Sequence, residues 1–143
     1  YHGAKRNPFN EIECSDHYAR AMASYGTFIT ACGFEYHGPK GYLRFAPAWD
    51  NERFKAPFTA AEGWGTYQQQ VNINSTRCSI ALHYGTLRLK TLSLHTVGTT
   101  VTATVNGKPL KASVAPSGKD TSIVFSQPVL LKEGETLEIQ VGG

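Results

Sequence analysis

Two hydrophobic periods divide the chain. Tyr18, Ala21, Met22, Tyr25, Phe28, Ile29 and Cys32 recur at spacings of three and four, which is the period of a helix face. Ser15 or Asp16 supplies a short side-chain oxygen to cap the first turn, and Gly33 supplies a stop. The opposite face, with Ala19, Ala23, Ser24, Gly26, Thr27 and Ala31, is small rather than charged. A helix that is apolar or small all round is expected to be buried on most sides. This one therefore reads as an inner helix of a larger helical assembly.

From Tyr42 the period changes to two. Residues 41–47, 66–73, 78–85, 86–96, 99–114, 121–127 and 135–141 alternate or run in β-branched residues. Asn106-Gly107 is a hairpin signal, because a type I′ turn needs positive φ at both central residues. Short strands divided by Gly, Pro and Ser predict an antiparallel β-sandwich-like region. Pro39, Pro47 and Pro57 mark a crossover between helix and strands.

Composition narrows the class. The chain has 143 residues, 41% hydrophobic and 17% charged, enough for one domain with a core. No apolar run approaches the roughly 20 residues that span a bilayer, so no transmembrane segment is expected. No basic stretch followed by an apolar one opens the chain, so no signal peptide is expected. It opens on Tyr1 rather than Met and reads as part of a longer polypeptide. The net charge of +3 is scattered, whereas nucleic-acid binders concentrate cations on one face; nucleic acid is not expected as a partner. Cys14, Cys32 and Cys78 are an odd set and form no complete disulfide framework. Asn74-Ser75-Thr76 is a glycosylation sequon, relevant only in a eukaryotic secretory pathway.

The acids and cations near the helix start carry the candidate chemistry. Cys14-x-x-His17 and Cys32-x4-His37 resemble a zinc set. Yet residues 17 to 32 span about 22 Å of helix, so the pairs cannot share an ion, and neither metal nor cofactor is expected. Glu11, Glu13 and Asp16 precede the helix, where carboxylates complement its dipole. Arg20 is followed by fourteen uncharged residues. Paired with Asp16 four residues earlier, it is an ordinary surface ion pair. Buried, its guanidinium needs acceptors, and Glu11 or Glu13 could supply them as a donor–acceptor fork suited to vicinal sugar hydroxyls. Trp64, between two glycines, reads either as an anchor between domains or as a platform for a sugar face.

The run R-N-P-x-x-E-x-E-C-x-x-H-Y-A-R-A-M, residues 6–22, resembles the C-terminal part of the catalytic domain of glycoside hydrolase family 116. This is the family of non-lysosomal glucosylceramidases, or bile-acid β-glucosidases, and their bacterial relatives. Residues 33–47 and 54–69 look like its closing segments, so the resemblance covers roughly 1–70. It implies an α+β fragment: a late helix of an (α/α)6 barrel in residues 1–38, a crossover in 39–66, and a sandwich-like domain in 67–143. It implies retaining hydrolysis of β-glucosides. The nucleophile and the acid/base lie upstream of the motif, so no catalytic residue is matched here, and the chain alone is not expected to be an enzyme. What the resemblance does carry over is a glucose-binding pair of the −1 subsite, Glu11 and Arg20. The implied partners are a β-glucoside or related carbohydrate and the remainder of the barrel. The implied location is secreted or periplasmic if the source is a bacterial glycan-degrading system. Two alternatives stand beside it: a non-catalytic carbohydrate-binding module, and a structural subunit completing a larger hydrolase.

Overall fold

The computed structural model describes the backbone of residues 18–143 and the side chains from Ala21 onward. The cap at Ser15 or Asp16, and Glu11, Glu13 and Cys14, lie outside the described residues. Helix α1 spans Tyr18–Cys32, followed by strands β1 Glu35–His37, β2 Tyr42–Phe45, β3 Arg53–Thr59, β4 Gly63–Asn72 and β5 Ser75–Leu94. Then come β6 Thr100–Val105, β7 Lys108–Leu110, β8 Ala112–Ser117, β9 Asp120–Lys132 and β10 Thr136–Gly142. The described residues are thus mostly β, with one helix; the (α/α)6 barrel is not among them.

β5 is the spine. Its first half pairs with β4 and β10, and its second half with β9 and β2. The reading of 78–85 and 86–96 as separate strands is corrected: Gly85 bends one continuous strand of 20 residues rather than ending it. Gly85 has φ +75°, and a Cβ there would collide with the Glu62 carbonyl. One sheet half therefore runs β3-β4-β5-β10-β6-β7 and the other β1-β2-β5-β9-β8. The β2–β5 pairing is parallel, and the other described pairings are antiparallel. The hairpin at Asn106-Gly107, with φ of 48° and 78°, joins β6 to β7.

The two halves close on one core. Phe45 of β2 stacks on Tyr67 of β4 at 3.8 Å between ring centres, and Phe58 of β3 meets Phe45 edge-on at 5.9 Å. Leu43, Leu89, Leu92, Ile80, Ile123 and Phe125 are fully buried around them. Residues 39–66, read as a crossover, contribute β2 and β3 to these walls. β3 alternates exposed and buried residues along its length, a period-two signal that Pro57 masked. β3 pairs only with β4, and an edge strand tolerates a proline because one row of its N–H groups has no ladder partner.

The helix departs from expectation. Residues 21–28 are exposed, including Met22, Tyr25 and Phe28, while Ala31 and Cys32 are buried. The end of α1 is held tightly: Gly33 donates to the Thr30 carbonyl and Phe34 to the Ile29 carbonyl, each at 3.1 Å, the paired bonds of a Schellman stop. Ala46 and Ala48 then donate to the Cys32 and Ala31 carbonyls. Upstream of that last turn the described sheet leaves the helix largely uncovered, so the all-round burial read from the sequence is not reached among the described residues.

Candidate functional site

Three places carry candidate chemistry, and two of them lie on the described surface. The first is the expected one, at the start of α1. Arg20 lies in the first turn of α1 by its backbone position. Glu11 and the side chain of Arg20 lie outside what is described, so their pairing is taken up below as a proposal.

The second is an aromatic edge. Trp64 and Tyr84 are register partners across β4 and β5, and both are exposed, at 48% and 62%. His83 lies 5.3 Å from Trp64 between ring centres and shares a 2.8 Å hydrogen bond with the Thr66 hydroxyl. The glycines around Trp64 have a steric cause. A Cβ on Gly63 would strike the Tyr84 carbonyl, and one on Gly65 would strike the Ala81 carbonyl and the Phe58 ring. Thr59 is the register partner of Trp64 on β3, and its hydroxyl lies 3.4 Å from that of Tyr25 on α1. The edge therefore continues onto the exposed side of the helix.

The third is a charged clamp that sequence reading missed. Asp120, at the start of β9, accepts from Arg44 Nε at 2.9 Å through one oxygen and meets His95 Nδ1 at 2.8 Å through the other. A second guanidinium nitrogen of Arg44 donates to Glu35 at 3.0 Å. Partial burial alone would raise the Asp120 pKa, but the hydrogen bonds from His95 and Arg44 outweigh it and hold the carboxyl below its usual range. Burial alone would lower the Arg44 pKa, and its carboxylate partners raise it instead. Among the described residues His95 hydrogen-bonds no hydroxyl or thiol, so a base–nucleophile pair of the hydrolytic kind is not formed. The cluster ties β1, β2 and β9 to the residue after β5. Four residues scattered over 86 positions leave no local sequence signal.

The remaining candidates resolve structurally. The His37 ring nitrogen accepts from the Lys40 backbone at 3.3 Å, capping a short 3-10 turn. Cys32 and Cys78 are buried and free. Burial pushes the Cys32 thiol up, and it raises that of Cys78 to about 12 despite a hydrogen bond with Tyr67. Neither is a ready thiolate at neutral pH. Among the described residues no three His, Cys, Asp or Glu side chains converge as metal ligands would, and no helix is long and apolar enough to cross a membrane.

No family model and no curated protein matches the chain in sequence. Among solved structures it is similar to a GH127 β-L-arabinofuranosidase from Geobacillus stearothermophilus T6, with 14% identity and a TM-score of 0.45 over 88% of this chain and 18% of that one. It is also similar to an α-L-rhamnosidase from Dictyoglumus thermophilum, with 12% identity and a TM-score of 0.42 over 78% of this chain and 12% of that one. The chain thus spans less than a fifth of the length of either glycoside hydrolase.

Proposed function

We propose that this chain is the C-terminal portion of a retaining β-glucosidase-like glycoside hydrolase. In this reading Glu11 and Arg20 hold the hydroxyls of the glucose in the −1 subsite. The nucleophile and the acid/base belong to the remainder of the barrel. Residues 1–38 are the barrel's last part, 39–66 connect it, and 67–143 form the β domain that closes against it. The observation that carries the reading is the ordered run of residues 6–22, in which Glu11 and Arg20 stand nine positions apart. The exposed side of α1 supports it. Met22, Tyr25 and Phe28 present apolar surface that other barrel helices would cover, and the adjoining Trp64–Tyr84 edge extends that seat. Contiguous apolar surface of this kind marks an interface.

The intact denaturing mass of the polypeptide isolated from its source, with an assay on an aryl β-glucoside, tests this. The reading requires a mass several times the 15.6 kDa of this chain together with hydrolysis that retains the anomeric configuration. A mass of 15.6 kDa without hydrolysis contradicts it. The rival reading, a carbohydrate-binding module, is favoured by the Trp64–Tyr84 pair, since exposed rings can stack on sugar faces. It requires quenching of Trp64 fluorescence by neutral oligosaccharides added to this chain.

A further inference from the structure

The sheet half led by β3 turns its outer face to a shallow groove of about 710 Å³. Register explains its lining. Lys55, Gln68, Ser79 and Glu138 stand opposite one another in a single row across β3, β4, β5 and β10. Arg53, Gln70, Arg77 and Gln140 form the next row. Thr104 and Thr102 of β6 end the two rows. The inward residues between these positions, Phe54, Gln69, Cys78 and Ile139, are buried, so the alternation of the strands turns the side chains of the two rows outward. Five strands make the face about 19 Å wide at the usual strand spacing.

We infer that this groove binds an acidic oligosaccharide whose sugars carry carboxylates. Arg53, Lys55 and Arg77 face Glu138 as the one acid lining the groove. Among the described residues these cations form no ion pair, so their charge is available to a ligand. Arg53 and Arg77 sit in one row two strands apart, about 9.6 Å between backbones. Each guanidinium can take a carboxylate with two parallel hydrogen bonds. Gln68, Gln70 and Gln140 offer amides that both donate and accept, and Glu138 accepts only. That mixture matches a ligand rich in hydroxyls with intermittent negative charge. It does not match a polymer with more than one charge per sugar, such as a sulfated glycan, which Glu138 would repel. Nor does it match single-stranded nucleic acid, because the aromatic residue of the lining, Phe54, is buried on the inner face and offers no ring to stack a base. A protein partner would need apolar pockets for its anchors, and the outward rows provide none.

The test is calorimetric titration of the 143-residue chain with a short oligogalacturonide, in parallel with its neutral reduced counterpart, dextran sulfate and an oligothymidylate. The inference requires saturable binding of the oligogalacturonide that weakens with salt and exceeds binding of the other three. The pair R53Q/R77Q should weaken it at least tenfold, and R53K/R77K by less. Removing a cation elsewhere, by K119Q in the β8–β9 turn, should leave it unchanged. All these side chains are exposed, so thermal unfolding should be unaltered in each variant. No binding of the oligogalacturonide, equal binding of the neutral sugar or of the other polyanions, or an unchanged affinity in R53Q/R77Q would overturn it. The inference does not rest on the hydrolase reading, and its failure would leave that reading untouched.

Discussion

Asp120 shows how much a single residue can join. Its two oxygens hold Arg44 and His95 at 2.9 and 2.8 Å, and through Arg44 they reach Glu35. Hydrogen bonds to charged groups contribute about 1.5–3 kcal/mol when buried, and less when partly exposed, as His95 is. Asp120→Asn should therefore cost about 1–2 kcal/mol of stability at neutral pH, read from urea unfolding. The acid dependence has a definite sign. The carboxyl titrates lower in the folded chain than in the unfolded one, so its stabilisation is fully present above the unfolded value, about 3.9. It is lost as pH falls through the folded value. The gap between wild type and Asp120→Asn should accordingly close as pH falls from about 5 toward 2. A gap independent of pH would contradict the assigned role. No sequence period could have revealed this clamp, because its members come from three separate strands and the residue that follows a fourth.

At the scale of elements, the alternation from Tyr42 onward was legible, and so were Gly33 as a helix stop and Asn106-Gly107 as a hairpin. Each is a local rule met by the residues that obey it. Two features were hidden because glycine and proline carry more than one meaning. Gly85 looks like a strand end but serves as a bend, and Pro57 looks like a breaker but sits in an edge strand. The glycines beside Trp64 likewise answer to close backbone approach. Gly65→Ala would push a methyl into the Ala81 carbonyl and the Phe58 ring, at the shift of register between Trp64 and Gly65. Such overpacking costs about 1–3 kcal/mol; thermal denaturation should show the loss. An unchanged midpoint would mean that this edge yields easily. The groove was not legible at all. Lys55 and Glu138 are 83 positions apart in sequence, and only the pairing of β3, β4, β5 and β10 sets them in one row.

At the scale of the whole molecule, the buried helix inferred from composition and the exposed helix in the structure are reconciled by a missing surface. A helix without a charge after Arg20 is suited to an apolar surround, and the described residues bury only its last turn. In the proposed enzyme the remaining cover, and the catalytic carboxylates, belong to a barrel that precedes this region, and Glu11 and Arg20 grip the sugar there. The most direct measurement is kcat/KM for an aryl β-glucoside in the barrel-bearing polypeptide, comparing wild type with Glu11→Gln and Arg20→Ala. Each variant should fall at least tenfold, or about 1.4 kcal/mol in transition-state stabilisation, with the pH optimum unmoved in Glu11→Gln. Unchanged kcat/KM in both variants would contradict the claim.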